Sequence, residues 1–245
     1  MTARGRDADV NASLHAHPTG HPLGAGLFDM DGLLVDTEPL WSVAEAELAA
    51  RHGAVWDAEI KARCIGTALP DAVPMMLDYF GVVHPSDDEL DGAQKFLLGR
   101  MVELFATELP LQPGALELVD ALRSAGVPTA LVSSSYRVLV DAVLAVVGPH
   151  RFEFTLAGDE VSRTKPDPEP YLTAAEALGV PPARCVVFED APSGIAAAEA
   201  AGCLAIGIPG HAPLEATPDR PVFASLADID VDWLLGLPRT LRRAS

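Results

Sequence analysis

Four short runs place reactive side chains directly after apolar segments. The first is Leu27-Phe28-Asp29-Met30-Asp31-Gly32, with two carboxylates one residue apart. The second, Leu131-Val132-Ser133-Ser134-Ser135, ends in hydroxyls, which together with the amides of a following helix make a natural cradle for phosphate. The third centres on Lys165, one of only three lysines, in a loop that Pro166 and Pro168 stiffen. The fourth, Val186-Val187-Phe188-Glu189-Asp190, ends in two adjacent carboxylates, hard oxygen ligands of the kind Mg²⁺ requires. Each run also has a plain structural reading. Asp-Gly is a common turn dipeptide, serines and acidic residues cap helices, and an isolated lysine is ordinarily a solvated surface charge. A calcium loop is excluded for the first run, because Leu33 stands where a third oxygen ligand is needed.

The elements that must position these residues follow from the hydrophobic pattern. From about residue 23, short apolar runs rich in Val, Ile, Leu and Phe alternate with longer helical patterns, the signature of βαβ units. Strands are expected over 24–28, 127–132, 154–157, 185–188 and 204–208, and helices over 114–125, 136–147, 169–178 and 193–201. The fold class is therefore α/β, a doubly wound parallel sheet, in which ligands bind beyond the carboxyl ends of the strands. All four reactive runs fall at such strand ends or in the loops beside them. The rhythm breaks over 39–107, where Trp41, Ala44 and Leu48 recur at helical spacing without strand signals. This stretch reads as an inserted all-helical cap, with 23–38 and 108–245 as the core domain.

Composition narrows the partners. The 245 residues are 49% hydrophobic, ample for a buried core. With 35 acidic against 17 basic residues the formal charge is −18, which argues against nucleic acid or an anionic membrane as a partner. Any phosphate site must then carry its own positive charge, and a metal ion is the obvious supplier. Cys64, Cys185 and Cys203 form no C-x-x-C pair, and no apolar run of spanning length or secretion signal is seen, so a cytoplasmic setting is expected. Residues 1–22, which carry His15, His17 and His21 without an apolar stretch, read as a disordered tail. The sequence leaves the oligomeric state open, with a monomer as the working expectation.

The order and spacing of Asp29-x-Asp31-Gly32, Ser133, Lys165-Pro166 and Glu189-Asp190 followed by Ser193-x-Gly194 resemble the haloacid dehalogenase superfamily from about residue 23 onward. Residues 29–41, DMDGLLVDTEPLW, are similar to the subgroup of sugar-phosphate phosphatases and β-phosphoglucomutase, which carries a helical cap after the first motif. The resemblance implies a Mg²⁺-dependent phosphatase acting on a small phosphate monoester. It implies Asp29 as the nucleophile that becomes an aspartyl-phosphate, and Asp31 as proton carrier. Asp29, the backbone carbonyl of Asp31, Asp190 and, as ligand or neighbour, Glu189 would hold the metal. Ser133, the Ser134 amide and Lys165 would hold the phosphoryl group.

Asp31 disfavours a dehalogenase or a phosphonatase, which have no aspartate there. A mutase is the runner-up, but Trp41 and Leu69 stand where mutase-like sequences carry a histidine and an arginine. Gly66, in the same cap loop, and Trp41, as an apolar wall, are candidate substrate-binding residues. A non-catalytic regulatory protein on this fold is the reading from another class. It is disfavoured because all the catalytic residue types are present.

Overall fold

The computed structural model describes residues 22–64, 67–210 and 212–237. The expected tail, apart from Pro22, and Gly66 lie outside the described residues. Five strands, β1 (Ala25–Phe28), β2 (Thr129–Val132), β3 (Phe154–Leu156), β4 (Cys185–Glu189) and β5 (Leu204–Gly207), form one parallel sheet in the order β3-β2-β1-β4-β5. Alternate strand residues enter opposite cores. Phe28, Leu131, Val186, Phe188 and Ile206 pack on one side with helices α5 (Ala115–Ser124) and α6 (Arg137–Val147). Leu27, Ala130, Val132, Val187 and Ala205 pack on the other with α7 (Glu169–Ala177) and α8 (Pro192–Ala200). Burial on both faces explains why these strands read as continuous apolar runs rather than alternating ones. Each large side chain fully buried this way contributes about 1.5–3 kcal/mol. Phe28 and Phe188 stack with ring centroids 4.6 Å apart, locking β1 to β4 just below their carboxyl ends.

The expected elements appear with boundary shifts of a residue or two. The second strand starts at Thr129 rather than 127 because Pro128 has no N–H for the ladder and the Val127 amide closes the preceding turn on Leu122. A short helix, α9 (Val231–Gly236), capped by Asp230, was not among the expected elements.

The stretch from 38 to 107 holds four helices, α1 (Glu38–Arg51), α2 (Ala58–Cys64), α3 (Leu69–Tyr79) and α4 (Asp87–Thr107), and no strand among the described residues. A capping box between Ser86 and Glu89 starts α4, satisfying two otherwise orphaned amides. Leu48, Ile60, Leu77, Leu97 and Met101 supply the apolar interior of this bundle. Helix α1 packs on α4, where Arg100 grips Glu47 with two hydrogen bonds of 2.8 and 3.0 Å, and α4 lies in turn along α6. The two chain segments that join the bundle to the sheet run side by side. The Asp36 amide donates to Pro110, the Gln112 amide donates to Leu34, and Val35 bridges Leu111 in antiparallel fashion.

Candidate active site

Strand register assembles the site. The order of strands reverses between β1 and β4, so a crevice opens beyond their carboxyl ends. Phe28 pairs with Leu131 on one side and Phe188 on the other, which sets Asp29, Val132 and Glu189 in one row across three strands. The Asp29 amide extends the ladder by donating to the Phe188 carbonyl at 3.1 Å, so this carboxylate stands on rigid backbone. The chain then turns tightly, with the Leu34 and Val35 amides both donating to Met30 and Gly32 at φ +83°, a conformation that favours glycine. The turn directs Asp31 back over the strand ends.

Lys165 is buried, and its ammonium donates to Asp29 Oδ1 at 2.5 Å, Glu189 Oε1 at 2.7 Å and the Val132 carbonyl at 2.8 Å. All three of its donors are thereby used. Burial alone would lower its pKa, but Asp29 and Glu189 hold it above the ordinary lysine value. The loop carrying it is fixed by more than its prolines. The Glu169 carboxylate accepts the amides of Ser162 and Arg163, and Asp167 accepts the Glu169 amide. The fully buried Tyr171 donates its hydroxyl to Glu189 Oε1, which therefore serves two donors.

Asp31 occupies a different environment. Thr37 donates its hydroxyl to Oδ1 at 2.9 Å, while Ser135 and Ser133 donate to Oδ2 at 2.8 and 3.2 Å. The Ser133 hydroxyl also accepts the Ser135 amide, which closes the turn after β2.

The serines do not cap α6, whose N-cap is Tyr136 without a side-chain bond, and Ala191 rather than an acidic residue caps α8. Lys165 is no surface charge. Only the Asp-Gly turn is realised as such, and it serves to place Asp31. Sequence reasoning missed Thr37, Ser135 and Tyr171. Thr37 and Ser135 lie inside quoted motifs, whereas Tyr171 reads as an ordinary helix residue with no signal of its role. Ser134 is exposed at the tip of its turn, and Trp41, half-buried on α1, packs against the apolar interior.

Asp29, Glu189 and Asp190 each offer a carboxylate oxygen, all within 4.8 Å of one another. The Asp31 side chain is not in this group, so only its backbone carbonyl is a candidate ligand. Three buried carboxylates against one ammonium leave the pocket short of positive charge. Burial first, then Glu189, pushes Asp190 up to about 7, and burial raises Asp29 well above the usual carboxylate range despite Lys165 beside it. A hard-oxygen donor set with unbalanced negative charge fits a divalent cation such as Mg²⁺.

Glycines leave room for this cluster. A Cβ on Gly32 would lie 2.2 Å from Asp190 Oδ2, and one on Gly194 only 1.8 Å from Glu189 Oε1. Since Lys165 and Tyr171 pin Glu189, Gly194→Ala is expected to destabilise by about 1–3 kcal/mol or more through overpacking. Gly99→Ala, in the open middle of α4 with nothing within 4 Å, is expected to stabilise by about 0.5–1 kcal/mol. Urea unfolding of the two variants in parallel checks this, and similar midpoints for both would contradict the packing argument.

Comparison with known proteins identifies the family. The family model of haloacid dehalogenase-like hydrolases matches residues 25–202. The chain is 34% identical to validoxylamine A 7′-phosphate phosphatase of Streptomyces hygroscopicus subsp. limoneus, over 84% of this chain and 95% of that one. It is likewise 34% identical to hexitol phosphatase A of Escherichia coli, covering 76% and 84% of the two chains. The crystal structure of CbbY from Rhodobacter sphaeroides in complex with phosphate superposes with a TM-score of 0.72 at 30% identity, over 84% of this chain and 96% of that one. With its parallel sheet, helical insertion and strand-end carboxylates, the chain belongs to the haloacid dehalogenase-like hydrolases, in the subgroup of sugar-phosphate phosphatases and β-phosphoglucomutase.

Proposed function

We propose that this phosphoric monoester hydrolase is a Mg²⁺-dependent phosphatase of small sugar or polyol phosphates, working through an aspartyl-phosphate on Asp29. The observation that carries the reading is the contrast between two carboxylates two residues apart. Asp29 is tied to a buried ammonium, whereas Asp31 is held only by hydroxyls. Environments that differ in this way assign different roles. The ammonium works against burial to favour the ionised nucleophile, and a bound cation would add to it. Hydroxyls can rotate from donating to accepting, so they tolerate a carboxyl group that gains and loses a proton.

Asp29 attacks phosphorus, and the bond to the leaving oxygen breaks as Asp31 supplies that oxygen with a proton. Asp31 then takes a proton from the water that cleaves the acyl phosphate. The Ser133 hydroxyl and the Ser134 amide hold phosphoryl oxygens, Lys165 joins them by turning one of its three N–H groups from the protein to the phosphate, and Lys165 with Tyr171 keeps Glu189 in place behind them. Asp29, Asp190, the backbone carbonyl of Asp31 and, close by, Glu189 would hold the metal. Bound there, Mg²⁺ would supply the positive charge that lets a phosphate dianion approach a carboxylate, a repulsion of about 4 kcal/mol per unit of phosphate charge at 4 Å and an effective dielectric near 20.

Residues 39–107 are assigned as a cap domain over a core of 23–38 and 108–245, hinged at the paired segments around Val35 and Leu111. A closing cap excludes water and selects substrate, and Trp41 and Gly66 are the residues proposed to bind it. Among the described residues no helix is long and apolar enough to cross a membrane, and all three cysteines are buried free thiols; a cytoplasmic setting and a monomeric state belong to the same proposal.

The test is a panel of hexose, hexitol and pentitol phosphates with Mg²⁺, scored for phosphate release and for isomerisation of β-glucose 1-phosphate. Release without isomerisation is expected, and Asp31→Asn should lower kcat by about 10²- to 10⁴-fold. Failure to release phosphate from any ester would overturn the reading, and bisphosphate-dependent isomerisation would favour a mutase.

A further inference from the structure

One buried carboxylate in the helical bundle has no part in the chemistry above. Glu45 on α1 is 9% exposed; among the described residues no hydrogen bond or ion pair reaches it, and Lys61 attracts it only from beyond pairing distance. Such a group is costly to bury, and an apolar side chain would fill the same place more favourably. Burial and then Glu38 push it up to about 7.

Its neighbours are not random. Glu38, Trp41, Ser42 and Glu45 share one face of α1 by their spacing of three, four and seven residues. Lys61 of α2 donates to the Ser42 hydroxyl at 2.7 Å and pairs with Glu38 at 3.4 Å. Apart from Glu45 itself this row is only half-buried, so it is a partly open polar strip that ends inward at Glu45. The strip begins at the active site, because Thr37, at the N-cap of α1, donates to Asp31. Glu45 lies eight residues further on, about 12 Å along the helix axis at 1.5 Å per residue. That is comparable to the length of a small sugar phosphate.

Resting on the phosphatase reading, we infer that Glu45 is a specificity residue that accepts hydroxyl groups from the neutral, polyhydroxylated end of the substrate. An unpartnered carboxylate is an acceptor-only group that two adjacent hydroxyls can satisfy together. Glu38 on the same strip makes it a poor site for a second phosphate or a carboxylate, since only Lys61 offsets the two acids. The preferred substrate is therefore a monophosphate with a neutral polyol or sugar body.

The experiment measures kcat/KM of the intact protein with Mg²⁺ for a hexitol 6-phosphate and for phenyl phosphate, which has no hydroxyls. Glu45→Gln, which keeps shape and an acceptor oxygen, and Glu45→Leu are compared with the parent. The ratio of hexitol phosphate to phenyl phosphate is expected to fall roughly 10- to 100-fold in Glu45→Leu, chiefly through KM, and less in Glu45→Gln. The relative rate on a hexitol bisphosphate should rise in both. Since no donor loses its partner, the Tm of Glu45→Leu should be equal to or above that of the parent. An unchanged ratio, or a lowered Tm with equal losses on both esters, overturns the assignment and makes Glu45 structural. If the parent cleaves neither of these nor any other ester of the panel above, the phosphatase reading itself fails, whereas cleavage with an unchanged ratio removes only Glu45.

Discussion

Asp29→Asn is expected to lower kcat by at least about 10⁴-fold while leaving the fold intact. General acid–base help from Asp31 is worth only about 10²- to 10⁴-fold, against accelerations approaching about 10²¹ for the hydrolysis of phosphate monoesters. On the proposed mechanism the covalent route and the charges around it supply most of the rest, and an amide neither attacks phosphorus nor holds a metal as a carboxylate does. The fold should survive because an Asn oxygen can still accept from Lys165, whose other bonds go to Glu189 and the Val132 carbonyl. Burial already disfavours the ionised form of Asp29, so the metal-free variant should melt no lower than the parent. Rapid-quench mass spectrometry should find a phosphoryl adduct on the parent and none on the variant. A variant within about ten-fold of the parent kcat would remove Asp29 from the role of nucleophile.

How much of this was legible in the sequence depended on how far each signal travels along the chain. Strand positions were readable because a sheet buried on both faces leaves dense apolar runs, as in Val186-Val187-Phe188, and residues that follow such runs fall at strand ends. That rule singled out Asp29, Ser133 and Glu189 as candidates, each still with a plain structural reading beside it. Their mutual register was not readable, because it is set by strand pairing between segments a hundred or more residues apart. Thr37 was hidden for a related reason, since its hydroxyl reaches Asp31 only because the turn at Gly32 folds the chain back. Tyr171 was invisible. It lies on the buried face of α7, where an aromatic side chain is expected for packing, and only the three-dimensional approach of Glu189 gives its hydroxyl a partner. Glu45 shows the converse, a polar residue among the buried positions of α1 that breaks the apolar pattern without marking a strand end.

Removing the metal should abolish turnover and expose a pH dependence whose sign follows from the crowding of carboxylates. In the metal-free fold Asp190 is pushed up to about 7, above the ordinary aspartate value it regains on unfolding. Between those two values the folded chain holds a proton that the unfolded chain has lost, so stability falls as pH rises through the window and levels off above about 7. Each unit of displacement is worth about 1.4 kcal/mol, so the full effect is a few kcal/mol. Glu45 adds a second slope of the same sign in the same window, so the slope alone does not isolate the metal cluster. The discriminating quantity is the difference Mg²⁺ makes. Protons and the cation compete for Asp190, so the rise in Tm on adding Mg²⁺ should be small at pH 5.5 and large at pH 8. Saturation at about 100 times Kd would add about 2.7 kcal/mol. In Asp190→Asn that rise should vanish at both pH values together with activity, while the slope from Glu45 persists. An equal Mg²⁺ response at pH 5.5 and 8, or one that survives in Asp190→Asn, would place the cation elsewhere. The charge that Asp29 needs to meet a phosphate dianion would then have to come from Lys165 alone, whose three donors are already engaged within the protein.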